Sequence, residues 1–294
     1  MKSLQRELTS KQGRFIGLAY RMLGSRADAE DILQDAHLKI EQLDDQEIHN
    51  AEAFLVTMIT RMCLDQHKSA HSRREVYVGP WLPEPILDAD QISPESASEL
   101  ADDLSFALLL TLEKLSSSER AAFLLHDVFD TSFSDISTIL DKSEAACRQL
   151  ATRARKSIHS SRPTTPVSDE IHQSLLMQFS EAARTGDTAA LQTLLTEDAV
   201  AYTDGGGQKI AALLPIMGAD KVARFFVGIV SKQLARNQQG EVTLQHINGV
   251  PGLLIKVDDV IDQTLTLDIA DGKIRAVYVV RNPQKLQSVG RLKQ

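Results

Sequence analysis

The chain has 294 residues, 43% hydrophobic and 24% charged, the balance of an ordinary globular protein with room for two or more domains. No stretch of about eighteen apolar residues occurs, which excludes a helical membrane span. The opening MKSLQRELTSKQGR lacks the apolar core of a signal peptide, so a cytoplasmic location is expected. The net charge of −8 argues against nucleic acid as a partner, but its distribution points the other way. Between Glu75 and Lys114 there is no Lys or Arg, while Glu84, Asp88, Asp90, Glu95, Glu99, Asp102, Asp103 and Glu113 accumulate. This acidic connector separates two segments that each end in a basic cluster, Arg73-Arg74 and Arg148 to Arg162. Phosphate contact follows local charge, not the total. The two cysteines, Cys63 and Cys147, form no CxxC pair, so neither a zinc site nor a redox motif is expected, and no cofactor is called for.

Residues 1–76 read as an all-helical domain. Phe15, Ile16, Leu18, Ala19, Met22 and Leu23 make an apolar face that ends at Gly24. ADAEDILQDAHLKIEQL follows as a second helix, with Ile32, Ala36, Ile40 and Leu43 along one side. Asp28, Glu30, Asp31, Gln34, Asp35 and Lys39 line the other side, and Leu33 and Leu38 lie off the main stripe. An acidic surface with extra leucines suggests a protein partner, although a solvated face is the commoner meaning of such a pattern. A third helix begins near Asn50. Phe54, Leu55, Met58, Ile59, Met62 and Cys63 turn inward, and Arg61, Asp65, His67, Lys68, His71, Arg73 and Arg74 collect toward its C-terminal half. That end is able to hold a nucleic-acid backbone.

Residues 77–101 form an acidic linker containing proline, with the only tryptophan, Trp81, inside WLPEP. A lone Trp stiffened by prolines usually docks on something. Residues 102–162 make a second helical domain. Its last part, SFSDISTILDKSEAACRQLATRAR from Ser132 to Arg155, reads as a helix-turn-helix. Ser132 with Asp135 marks a helix start, and Ile136, Ile139 and Leu140 share one face. Asp141 stands where such turns usually place Gly. Ser143 caps the second helix, whose buried stripe is Ala146, Leu150, Ala154 and Ile158. The other faces carry Arg148, Gln149, Thr152, Arg153, Arg155 and Lys156, residue types that read base edges and hold phosphates.

RPTTP near Pro163 marks a boundary. Residues 163–294 read as an α+β domain. An amphipathic helix spans Asp169 to Arg184, and a shorter one runs from Asp187 to Leu195. The runs AVAYT and KIAALL look like strands on either side of a glycine turn, and GADKVARFFVGIVSKQL looks like a helix. EVTLQHI, GLLIKVD, VIDQTLTLDIA and KIRAVYVV follow as an antiparallel sheet, with turns at Asn248-Gly249 and Asp271-Gly272. A curved sheet wrapped on helices commonly encloses a pocket.

With these pieces in place, residues 10–160 resemble a bacterial extracytoplasmic-function sigma factor, the promoter-reading subunit of RNA polymerase. DAEDILQDAHLKI looks like the helix that grips the polymerase clamp. AFLVTMITRMCLDQHKSAHSRRE is similar to the helix that recognises and melts the −10 element. The helix-turn-helix resembles the module that reads the −35 element. The chain further resembles the subgroup with a fused C-terminal SnoaL-like domain, of the cone-shaped fold of ketosteroid isomerases. The marks are WLPEP at 81–85, a DGGG turn at Asp204, Gly205, Gly206 and Gly207, and an NP-x-KL ending at Asn282, Pro283, Lys285 and Leu286. Three departures stand out. Gln208 precedes Lys209 after the glycines, Gln284 occupies a place where Asp is common, and the −10 helix is poor in Arg.

The resemblance implies two all-α sigma domains followed by an α+β regulatory domain, core RNA polymerase and promoter DNA as partners, and no catalysis. Asp28, Asp31, Ile32, Gln34, Asp35 and Leu38 would engage polymerase. Arg61, Asp65, His67, Lys68, Arg73 and Arg74 would face −10 DNA, and Ser143, Arg148, Gln149, Thr152, Arg153 and Lys156 would face −35 DNA. Trp81, Leu82 and Pro83 of the linker would meet the DGGG turn and the Asn282–Lys285 segment, so that the chain's own C-terminal domain acts as its regulator, with an unknown small molecule as a conceivable signal. Two other readings remain open here. One is a ligand-sensing helix-turn-helix regulator. The other is an enzyme in the C-terminal domain, for which Tyr202, Asp204, His246, Asp268 and Tyr278 supply candidate groups.

Overall fold

The computed structural model describes residues 3–43, 48–75, 77–87, 104–161, 167–235 and 240–290. They form two compact units. One comprises Met1–Val76 with Asp88–Arg162, and the other Tyr77–Leu87 with Pro163–Gln294.

The first unit is all helix. Its opening module holds α1 (Ser3–Ser10), α2 (Gln12–Leu23), α3 (Arg26–Glu41) and α4 (Ala51–Glu75). Gly24 ends α2 in a left-handed conformation at φ 70°, and its N–H closes on the Tyr20 carbonyl. Ser25 then caps α3 by accepting from the Asp28 N–H, and Asn50 caps α4 through Ala53. Phe15, Leu18 and Met22 of α2 pack with Ile32, Ala36 and Ile40 of α3 and with Leu55, Ile59 and Cys63 of α4, all buried. Leu33 is also buried, so the core stripe of α3 is wider than its strict period suggests.

The second helical module holds α5 (Phe106–Glu113), α6 (Ser117–Phe123) running on into one π-helical turn at Leu124–Val128, α7 (Phe133–Leu140) and α8 (Glu144–Ser161). Ser116 and Glu119 form a reciprocal capping box at the start of α6. Ser132 caps α7 through the Asp135 N–H, while the Asp135 carboxylate accepts from the Ser132 hydroxyl. Asp141 takes the left-handed turn position at φ 52°, where Gly would have been less strained by about 1 kcal/mol. Behind α7 and α8 lie Ile136, Ile139, Cys147, Leu150, Ala151, Ala154 and Ile158, which leaves the cationic side of α8 exposed.

The second unit packs α9 (Asp169–Thr185), α10 (Thr188–Leu194) and α11 (Ala219–Ala235) on one face of a six-stranded sheet. Its strands are β1 (Leu195–Asp204), β2 (Ile216–Met217), β3 (Glu241–Ile247), β4 (Val250–Val257), β5 (Val260–Ala270) and β6 (Lys273–Val280), in the order β2-β1-β6-β5-β4-β3. A last helix, α12 (Pro283–Gly290), packs back on β5. Leu176 and Phe179 of α9 and Val222 and Phe226 of α11 meet Ala199, Ala201, Leu265, Leu267, Val277 and Val279 of the sheet. The Phe179 and Phe226 rings meet edge to face at 5.0 Å.

Two sequence expectations are corrected here. The sheet is mixed, because β1 and β6 run parallel, with Tyr202 opposite Tyr278 and Asp204 opposite Val280. The run KIAALL is not a strand. The N–H groups of Gln208 and Lys209 both turn back to the Gly205 carbonyl, and Ala212 donates to the Thr203 hydroxyl, so the donors a ladder would need are used locally. Ile210, Leu213 and Leu214 are consequently exposed.

Candidate functional site

Side chains alternate along β1, so Ala199 and Ala201 face the helices while Tyr202 and Asp204 face the other way. Asp204 is the last strand residue and is wholly buried. A buried carboxylate is costly unless its oxygens are saturated with donors. Here four donors meet it. Oδ1 accepts from the Tyr77 hydroxyl at 2.5 Å and the Gly206 N–H at 3.0 Å. Oδ2 accepts from the Leu82 N–H at 2.9 Å and the Lys285 ammonium at 2.7 Å. Two of the four, Tyr77 and Leu82, belong to the segment 77–87, which lies on the C-terminal unit as an extended strap.

The glycines explain the shape of this turn. A Cβ on Gly206, which sits at φ 59°, would fall 2.3 Å from the Asn282 amide nitrogen. A Cβ on Gly205 would fall 2.2 Å from the Lys209 carbonyl oxygen. Their absence lets Asn282 approach. Its amide donates to the Tyr77 oxygen at 2.7 Å, and its own carbonyl caps the Gln284 N–H at 3.0 Å, opening α12. Burial, reinforced by the bond to Asp204, pushes the Tyr77 phenol well above its ordinary range, so it remains a donor.

Lys285 closes the arrangement. Its ammonium bonds Asp204, donates to the Leu82 carbonyl, and lies 4.3 Å from the Trp81 ring centre and 5.0 Å from that of Tyr77. Leu82, Pro83, Glu84, Pro85 and Ile86 are all buried. Pro283, half-buried, takes the first position of α12, where its missing N–H costs nothing. Gly207, exposed at φ 70°, lies next to Val78 of the strap.

The other end of the strap is held by a residue that the sequence marked only as a turn. Asn248, at φ 55° in the β3–β4 hairpin, is fully buried. Its side-chain oxygen accepts from the Ile86 N–H at 3.0 Å, and its own N–H donates to the Ile86 carbonyl at 2.7 Å. Asn248 and Tyr77 are therefore the two anchors that motif reading missed. A buried Asn at a hairpin turn is a sequence-visible hint only once its burial is known.

In the helical unit, Asp31, Gln34, Asp35 and Leu38 share the exposed face of α3, with Leu38 at 59% exposure. Ile32 does not join them. It lies in the core at 3% exposure, as its place in the apolar stripe requires. Asp28 is half-buried and accepts from Gln66 of α4 at 3.1 Å, tying two helices together. On α4, Arg61 and Asp65 are exposed one turn apart, whereas His67 turns inward at 8% exposure, one turn beyond Cys63. Lys68, Arg73 and Arg74 lie on the C-terminal part of α4, where side chains fall outside the described residues.

Ser143, Arg148, Gln149, Thr152, Arg153 and Lys156 are all exposed. Ser143 caps α8 through Ala146. Arg148 pairs with Glu144 and lies over the Phe133 ring, and Arg153 pairs with Glu119 at 2.8 Å. Arg155 makes a bidentate bond to Asp127, which holds α8 to the π turn. The groups considered for catalysis are engaged separately. Asp204 holds the strap, His246 is exposed and bonds Asp169, Asp268 pairs with Arg275, and Tyr202 stacks on Tyr278. No cluster of metal-binding side chains occurs among the described residues, and none of their helices is long and apolar enough to cross a membrane.

The family model for Sigma-70 region 2 matches residues 9–73, and that for Sigma-70, region 4 matches residues 105–158. The ECF RNA polymerase sigma factor SigJ of Mycobacterium tuberculosis is 34% identical over 292 residues, covering 95% of this chain and 92% of that one. The probable ECF RNA polymerase sigma factor SigI of the same organism is 29% identical, covering 92% and 90%. The crystal structure of M. tuberculosis SigJ aligns with a TM-score of 0.74 at 32% identity, over 96% of this chain and 98% of that one.

Proposed function

The chain belongs to the extracytoplasmic-function RNA polymerase sigma factors, and we propose from that membership how its exposed faces and its strap divide the work. It directs RNA polymerase through its region 2 and region 4 modules. Asp31, Gln34, Asp35 and Leu38 dock on core polymerase. Arg61 and Asp65, followed along α4 by Lys68, Arg73 and Arg74, face the −10 element. Ser143, Arg148, Gln149, Thr152, Arg153 and Lys156 face the −35 element, Arg148 and Gln149 reading bases and Lys156 holding phosphate. The C-terminal α+β domain modulates this activity by holding the strap, which continues directly into the acidic connector between the two DNA-binding modules.

The observation that supports the regulatory part most strongly is the Asp204 carboxylate. It is buried and takes two of its four donors from the strap. The test is transcription of genomic DNA by core polymerase with the purified chain added, read by sequencing the transcript starts. New starts sharing −10 and −35 sequences are expected. Asp204→Asn and Trp81→Ala should change their yield severalfold while leaving the helical circular dichroism intact. Unchanged yields in both variants contradict the strap's regulatory role, and an absence of new starts contradicts the promoter assignment.

A further inference from the structure

The sheet of the second unit protects one of its edges and leaves the other open. β2, at one edge, is only two residues long. β3, at the opposite edge, runs for seven residues, EVTLQHI, with no Pro, Lys or Arg and no shift of register against β4. Shortness, bulges, proline and lysine keep edge strands from pairing with another chain, and β3 has none of them. The turn that closes its hairpin, Asn248-Gly249, has positive φ at both residues, so the flanking pair Ile247 and Val250 is hydrogen-bonded across the ladder. Bonding alternates along an antiparallel strand, so Val242, Leu244 and His246 direct their N–H and C=O groups away from β4. Among the described residues none of these groups has a backbone partner. The next outward N–H, that of Asn248, donates to the Ile86 carbonyl of the strap, so this edge already accepts extended chain. The side chains of Val242 and Leu244 are 53% and 43% exposed, although they lie opposite Ile255 and Leu253 on the side of the sheet that carries the helices.

We propose that β3 pairs with β3 of a second copy of this chain, antiparallel about a two-fold axis at Leu244, which joins the two six-stranded sheets edge to edge. Only outward-directed residues bond one another across such a pair. The register that uses all three sets Leu244 opposite Leu244 of the second copy and Val242 opposite His246 of the second copy. On that face the exposed apolar side chains of the two copies cover one another. On the other face Thr243 meets Gln245 of the second copy, a pair able to hydrogen-bond. Glu241, the acid of β3, falls opposite Ile247 of the second copy, so no like charges meet. The ladder ends there, one position short of Asn248, and Asn248 keeps its bond to Ile86. A second copy is the occupant because its own strand matches every position of this register. Seven paired residues cover less than the about 1,200 Å² of a stable interface, which makes the dimer weak, with a dissociation constant on the order of 10 μM.

The test is analytical ultracentrifugation of the full chain between about 1 and 300 μM. It needs neither polymerase nor DNA, so its outcome is independent of the promoter reading. A monomer–dimer equilibrium is expected. Leu244→Lys and Leu244→Glu should each weaken association by about tenfold or more, because the introduced charge then faces its own copy across the axis. An equal mixture of the two variants should recover to within about threefold of the parent, because opposite charges then meet. Val260→Lys, at another exposed apolar residue away from this edge, should leave association unchanged. Both sites are exposed, and unchanged circular dichroism checks that the variants fold. A parent chain that stays monomeric at about 300 μM overturns the proposal and leaves the edge to an extended segment of another protein. Association that Leu244→Lys does not weaken, that Val260→Lys weakens equally, or that the mixture does not restore also overturns it.

Discussion

Lys285 reaches Asp204 across 81 residues of sequence and bonds its carboxylate at 2.7 Å, while the same ammonium lies 4.3 Å from the centre of the Trp81 ring. One cation therefore joins the glycine turn, the last helix and the strap. The acid and the lysine have side-chain exposures of 0% and 12%, so water screens the pair little. Replacing Asp204 by Ala strands the ammonium of Lys285 and the Leu82 N–H in a dry site. The expected loss is about 3 kcal/mol or more in urea unfolding of the C-terminal unit, with proteolysis of the strap as a second readout. A loss below about 1 kcal/mol means that the strap is held elsewhere.

Gly206→Ala tests the same site from the backbone. The new methyl meets the Asn282 side chain and sits at a positive φ, so Asn282 must withdraw from Tyr77. A destabilisation of about 1–3 kcal/mol is expected, against a gain of up to about 1 kcal/mol for Gly228→Ala in the middle of α11, whose Cβ would meet nothing within 4 Å. Equal effects from the two substitutions count against the close approach described here.

The region 4 surface makes a different forecast. Replacing Gln149 or Arg148 with Ala should relax base preference in the −35 element, at about 1–3 kcal/mol for each base that is no longer read. Lys156→Ala should instead weaken binding evenly across sequences and lower the salt slope by about one. Competition binding by the polymerase complex at several salt concentrations separates the two patterns.

Acid should weaken the C-terminal unit through His172. Burial lowers this histidine to about 4 from an ordinary 6.5, partly offset by the neighbouring Asp169 carboxylate, with His246 also near. The unfolded chain then binds this proton at higher pH than the folded one. The stability His172 confers is complete above pH 6.5 and is lost as the pH falls toward 4, by at most about 2 kcal/mol at pH 5. His172→Gln should flatten the pH dependence of urea unfolding between pH 7 and 5. An unchanged slope assigns the acid sensitivity to other groups.

Much of this architecture is written in local signals. Ser25, Ser116, Ser132 and Asp141 each sit where a helix must start or turn, and each does so through its own side chain or backbone angle. Short-range periodicity also separates Leu38 from the α3 core. Ile32, expected at polymerase by resemblance, follows the apolar stripe of α3 into the core. His67 likewise follows Cys63 inward by helical period, whatever its chemistry. Long-range pairings are not legible in the same way. Nothing local to β1 announces its parallel partner β6, and Asn248 and Tyr77 acquire their roles only when the strap is laid against the sheet. KIAALL has the composition of a strand, but the glycine turn before it uses its backbone donors first.

The most direct test of the account is co-elution of the full chain with bacterial core RNA polymerase on a sizing column, run beside the double variant Asp35→Arg, Leu38→Glu. These two side chains are exposed on α3 and hold no core contact, so the variant should fold. A stable one-to-one complex is expected for the parent chain, and its loss in the variant. A parent chain that fails to co-elute contradicts sigma-factor action, and equal complexes from both proteins contradict the docking face on α3.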